Sequence, residues 1–228
     1  MIVGERKPFE EVLESIQGYN KILVLGCGTC VAVCMAGGEK EVGILGSQLR
    51  MALKKAGTDV EIGEVTIQRQ CDREYIEPIR KKAAEYDLIL SLACGVGVQY
   101  VAEILEPQEV KPGLNTRFLG ANEAEGEWGE RCRACGNCVL AETGGICPIT
   151  ICAKSLVNGP CGGTNEGKCE VSKEKDCAWT IIYNRLDKQG NLDNIRKIFP
   201  PKKYSAQTHP ARQVNEAYQK AEMEEVAH

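Results

Sequence analysis

The stretch KILVLGCGTCVAVCMAGGEKEVGILGSQLRMALKKAG, residues 21–57, decides the reading of the fold. Ile22 to Leu25 make a short apolar strand that stops at Gly26. After a loop carrying Cys27, Cys30 and Cys34, residues 39–56 set Val42, Leu45, Leu49 and Leu53 on one helical face, with Gly57 as the stop. Toward the N-terminus, Phe9, Val12, Leu13 and Ile16 follow helical spacing between Pro8 and Gly18. Toward the C-terminus, Val60–Ile67 is the second strand and Asp72 can cap a helix carrying Ile76, Ile79 and Ala83. Leu88–Leu92 is the third strand, Val98, Val101, Ala102 and Leu105 form another helical stripe, and Arg117–Gly120 is a fourth strand. Strands alternating with helices predict an α/β fold over residues 1–125: a small parallel sheet flanked by helices, with right-handed crossovers.

Beyond that domain the periodicity is lost. Residues 126–189 are rich in cysteine, glycine and turn residues, with only short apolar pieces such as Ile149 to Ile151. An irregular Cys-rich metal-binding module is expected there, ordered by metal rather than by a core. Residues 190–228 read as a linker through Pro200 and Pro201 followed by a C-terminal helix, with Ala211, Val214, Tyr218 and Ala221 on one stripe.

The chain holds 13 cysteines and two histidines, His209 and His228, both in the tail. Such a density of soft ligands points to iron-sulfur or zinc. A disulfide scaffold would need an oxidising compartment. The opening MIVGERKPFEEVLES instead carries Glu5, Arg6 and Lys7 and has no apolar core of signal-peptide length, so reduced thiols and a cytoplasmic location are expected. No apolar run reaches the ~20 residues of a membrane span. A formal net charge of -4 gives no electrostatic case for nucleic acid.

Five cysteines fall after the first three strands: Cys27, Cys30 and Cys34 after the first, Cys71 after the second and Cys94 after the third. In a parallel sheet these positions share the carboxyl edge, where open α/β sheets bind ligands. They can furnish four ligands to a 4Fe-4S cluster with one to spare, and spacing does not say which of Cys27, Cys30 and Cys34 is the spare. The competing reading makes Cys71 and Cys94 small buried hydrophobes. Gly26 and Gly28 lack the third glycine of a dinucleotide fingerprint, Val31 standing in its place, so they read as room for a bulky inorganic ligand. Gly95 and Gly97 repeat that pattern.

The other eight cysteines, Cys132, Cys135, Cys138, Cys147, Cys152, Cys161, Cys169 and Cys177, are enough for two 4Fe-4S clusters. The first three form C-x2-C-x2-C and Cys147 precedes Pro148, partly like the bacterial ferredoxin run. Eight residues separate Cys138 from Cys147, where a ferredoxin has three. Zinc is the alternative, since Cys132 and Cys135 begin a C-x2-C knuckle, although no second knuckle follows. Two or three clusters, or clusters beside one zinc, are compatible with the count.

GCGTCVAVCMAGGEKEV (residues 26–42), CRACGNCVLAETGGICPITICAKSLVNGPCGG (132–163) and GKCEV followed by CAW (167–179) resemble the iron-sulfur or zinc-finger-like accessory subunit of acetogen-type methylenetetrahydrofolate reductase. The same domain family is known as the methylenetetrahydrofolate reductase C-terminal domain. The resemblance implies a chain that binds the flavin-containing catalytic subunit and takes electrons from an upstream donor protein. It would pass them to the flavin that makes methyltetrahydrofolate in the Wood-Ljungdahl pathway. The residues fit that role: no flavin pocket and no substrate-protonating acid has a signature here, so the chain reads as non-catalytic alone. A zinc adaptor holding the same complex is the second expectation. A first-domain cluster acting as a Lewis acid is a third, with no acid or base placed beside it by motif.

Overall fold

The apolar run at residue 22 forms the inner part of a four-stranded parallel sheet in the computed structural model, which describes residues 1–202, 210–215 and 217–218. The chain opens with β1 (Ile2–Arg6) and α1 (Phe9–Ser15), then β2 (Lys21–Cys27), the single turn α2 (Cys30–Val33) and the long α3 (Glu39–Lys55). Next come β3 (Glu61–Ile67), α4 (Arg73–Ile76), a 3-10 turn (Glu77–Ile79), α5 (Arg80–Ala83) and β4 (Leu88–Leu92). They are followed by α6 (Gly95–Ile104), β5 (Glu109–Pro112), β6 (Leu114–Ala124) and β7 (Glu127–Cys132). The helix expected after Asp72 is thus broken into three pieces. Pro78 sits in the middle piece, where its missing N–H and its ring interrupt an α-helical ladder.

The parallel sheet has the order β3-β2-β4-β5. In register, Ile22 lies opposite both Ile62 and Leu88, and Ile89 opposite Val110. Ile22 and Val24 pack with Val12, Ile16, Val42, Leu45 and Leu49 on one face, whereas Leu23 and Leu25 pack with Ile76, Val101 and Ile104 on the other. Burial on both faces is why these strands are continuously apolar rather than alternating.

The fourth strand of this sheet is β5, not Arg117–Gly120. Those residues lie in β6, which pairs antiparallel with β1, Ile2 opposite Leu119 and Arg6 opposite Leu114. Ladder pairing on β4 ends at Pro112, and Gly113 N–H donates to Ser91 O at 2.8 Å as the chain leaves the sheet. A period-2 pattern marks a strand without saying which sheet takes it. The strand β1 lay unseen in a short segment that ends in charges.

The chain separates into two units between Arg131 and Cys132. The second unit contains α7 (Pro148–Ile151), the antiparallel pair β8 (Lys168–Cys169) and β9 (Ser172–Asp176), α8 (Ala178–Lys188) and a 3-10 turn (Leu192–Arg196). It has a small apolar core of its own, Ile146, Trp179, Ile182 and Leu186. Helix α8 corrects the expectation of an aperiodic module: Trp179, Ile182 and Leu186 follow helical spacing that the surrounding cysteines obscured. Of the terminal helix expected on Ala211, Val214, Tyr218 and Ala221, residues 211–215 are not helical and 217–218 are. Ala221, His209 and His228 lie outside the described residues. Among the described residues no helix is long and apolar enough to cross a membrane.

Candidate metal centres

All thirteen cysteines are free thiols. The connection from β2 runs to β3 on one side, and that from β4 runs to β5 on the other, so the topology switches direction between neighbouring strands β2 and β4. Open α/β sheets bind ligands in the crevice at such a point. Cys27 ends β2, Cys94 caps α6 just after β4, and Cys71 follows β3.

Cys27, Cys94 and Cys30 all lie near Cys71. Although Cys71 is exposed as a residue, desolvation of its sulfur pushes its thiol pKa up, and the nearness of Cys27, Cys94 and Cys30 pushes it further. Cys34 sits beside Cys30, one helical turn on, but deeper in the core. It is buried, its Sγ is 3.6 Å from Ile2 O on β1, and burial is the main cause that raises its pKa, with a backbone hydrogen bond from Gly4 opposing. The loop between Cys30 and Cys34 is the turn α2, which leaves the two thiols in different surroundings: Cys30 half-buried, Cys34 in the core.

The residue that holds these loops together was not among the sequence candidates. Gln70 is completely buried; its Nε2 donates to Leu25 O on β2 at 2.8 Å, and its Oε1 accepts from Ser91 Oγ on β4 at 2.6 Å. One side chain thus ties the loop bearing Cys71 to the two strands that end at Cys27 and Cys94. The only signal was a polar residue beside a cysteine, too weak to single out. The glycines also read differently in three dimensions. A Cβ on Gly26 would stand 2.5 Å from both Thr66 Oγ1 and Val42 Cγ2, and one on Gly97 would stand 2.9 Å from Gln70 Cβ. At Gly26 and Gly97 the space is taken by Thr66, Val42 and Gln70, whereas Gly28 and Gly95 leave ordinary contact distances. Gln70→Ala orphans Leu25 O and Ser91 Oγ and is expected to cost about 2–3 kcal/mol. Chemical denaturation measures this, and an unchanged midpoint would show that water replaces the amide.

In the second unit, Cys152, Cys161, Cys169 and Cys177 line one cavity of about 20 Å³, with Ile151 and Trp179 among its walls. Cys177 caps α8: burial alone would push its thiol up. The Thr180 hydroxyl and backbone, the Thr164 hydroxyl and the Trp179 backbone outweigh that and hold its pKa below the ordinary thiol range. Trp179 Nε1 donates to Leu156 O at 2.9 Å, fixing the loop between Cys152 and Cys161 to the helix.

Cys147 and Cys152 flank the single turn α7, and only Cys152 lines the cavity. The eight residues between Cys138 and Cys147 fold as a turn around the buried Thr143, whose Oγ1 is 2.6 Å from Ile146 O and 3.0 Å from Val139 O. That turn accounts for the departure from ferredoxin spacing. Within the C-x2-C run, Ala134 takes a left-handed φ of 50° and its N–H donates to Cys132 Sγ at 3.3 Å. A non-glycine residue held in that region costs about 1–2 kcal/mol.

Among the described residues no group of three or more His, Cys, Asp or Glu side chains is arranged to hold a single metal ion. A four-iron cluster asks for less convergence, because each thiolate binds a different iron at a different corner.

Residues 111–205 match the family described as methylene-tetrahydrofolate reductase C terminal. That segment, less than half of the chain, contains all eight second-unit cysteines and none of the five at the strand ends. No curated protein and no solved structure matches the chain.

Proposed function

We propose that the chain is an iron-sulfur electron-transfer subunit, passing electrons from an upstream donor protein to the flavin of a methylenetetrahydrofolate reductase catalytic subunit in the cytoplasm. The observation that carries this reading is the nearness of Cys27, Cys30 and Cys94 to Cys71 at the switch point, four thiols drawn from three separate loops. Cys34 is then the spare. The cavity thiols Cys152, Cys161, Cys169 and Cys177 are the second group, leaving Cys132, Cys135, Cys138 and Cys147, the ferredoxin-like set, as the third. Bound 4Fe-4S clusters supply one-electron steps, which a flavin can collect in pairs.

The chain's own residues hold thiolates and set their surroundings. Gln70 fixes the relative position of the three strand-end loops, and Thr180, Thr164 and Trp179 favour the charged form of Cys177. The Ala134 N–H donates to the Cys132 sulfur at 3.3 Å. The family match over residues 111–205 supports a methylenetetrahydrofolate reductase as the partner.

One observation favours a second reading for part of the molecule. Cys152, Cys161, Cys169 and Cys177 line one small cavity, and four thiolates are a donor set that structural zinc also takes. With zinc in all its metal sites the chain would be a structural adaptor of the same complex. Iron, zinc and acid-labile sulfide per chain, in protein purified without oxygen, separate the readings. About twelve irons with equal sulfide correspond to three clusters, and about eight irons with one zinc correspond to two clusters and a zinc cavity. Zinc without labile sulfide would sink the electron relay.

A further inference from the structure

The segment after the 3-10 turn of the second unit returns to one of the candidate ligands. Phe199 N–H donates to Asn158 Oδ1 at 2.8 Å, and Asn158 Nδ2 donates to Phe199 O at 2.9 Å. Both polar atoms of one amide read both backbone groups of one residue, which fixes the backbone there whatever side chain it bears. Pro200 and Pro201 follow, with φ locked by their rings, so the anchor at residue 199 is carried stiffly to residue 202. There Lys202 Nζ lies 3.2 Å from Cys135 Sγ and also donates to Asn137 O. Lys202 is half-buried, which spares the contact some of the screening that an exposed pair suffers. Cys135 responds: a backbone hydrogen bond from Asn137 and then Lys202 hold its pKa below the ordinary thiol range, against burial.

We propose that Lys202, delivered by the Asn158 anchor, sets the reduction potential of the group held by Cys135, and that residues 197–202 are a tuning strap rather than a linker. The proposal rests on the reading of Cys132, Cys135, Cys138 and Cys147 as an iron-sulfur site. Adding an electron to such a site increases its negative charge. A cation that donates to a ligating sulfur stabilises the reduced form more than the oxidised one, and hydrogen bonds and net charge are the levers that set cluster potentials. Lys202 therefore raises the potential of this site relative to the same site without it. Asn158 is a positioning residue, acting through the backbone of Phe199.

The test is a redox titration of the full chain, purified without oxygen and followed by electron paramagnetic resonance, beside iron analysis. Lys202→Met keeps the aliphatic stem and removes the charge. It is expected to retain iron and to shift one titration wave about tenfold toward the oxidised form, a fall of about 59 mV for a one-electron couple, leaving the other waves in place. Lys202→Arg is expected to restore most of that shift. Asn158→Ala leaves the lysine present but frees its segment, and is expected to move the same wave in the same direction; it carries the measurement should Lys202→Met lose iron. Retained iron with every wave unmoved in both variants overturns the proposal alone. If Cys135→Ser costs no iron, the site itself is wrong and the proposal falls with it.

Discussion

Cys71→Ser and Cys94→Ser each remove about four irons per chain, while Cys34→Ser removes none. This contrast follows from the surroundings of the sulfurs. Cys71 feels Cys27, Cys94 and Cys30, so its loss takes one corner from a group of four that three loops build together. Serine is a poor substitute for a soft thiolate. Cys34 instead buries its thiol in the first core against Ile2 O, where a serine hydroxyl can donate to the same carbonyl. Iron and labile sulfide per chain read the outcome, and the second unit's metal serves as the internal reference. Full iron in both Cys71→Ser and Cys94→Ser would remove the strand-end site from the account. A loss of about four irons in Cys34→Ser would make another cysteine the spare.

Cys135→Ser and Cys161→Ser are expected to open the second unit to protease while the first stays resistant. Among the described residues, the second unit's buried apolar side chains are Val139, Ile146, Ala178, Trp179, Ile182 and Leu186. At about 2 kcal/mol each, they fall well short of the entropy lost in ordering the loops that join them, about 1–2 kcal/mol per residue. Structural metal supplies on the order of 10 kcal/mol in small thiolate domains, enough to decide whether such a unit is folded. Limited proteolysis with mass mapping locates the cuts. New cuts are expected in the loops between residues 132 and 177, and Cys135→Ser is expected to be cut first around Thr143, whose turn joins Cys138 to Cys147. Unchanged resistance in both variants would show that packing alone orders the unit.

The parts that were legible in the sequence and the parts that were not differ for identifiable reasons. Strands β2 and β4 were legible because burial on both faces demands an unbroken apolar run, and α3 because Val42, Leu45 and Leu49 repeat at helical spacing. The edge strands β1 and β5 were not, since each pairs on a short, partly exposed segment whose composition resembles a loop. Helix α8 carried a readable stripe that the neighbouring cysteines drew attention away from. The candidate thiols were legible as residue types at strand ends, because the carboxyl edge follows from parallel order alone.

The sequence by itself determined a parallel α/β unit with five thiols along one sheet edge, followed by a segment with eight thiols and little apolar material. Which thiols lie near one another was decided only by tertiary structure. Nearness depends on where segments distant in sequence are brought together: Gln70 bridging β2 and β4, and Asn158 anchoring the segment that carries Lys202 to Cys135. Each of those contacts joins segments that no local spacing relates, which is the physical reason a cysteine count could be read in advance and its partition could not.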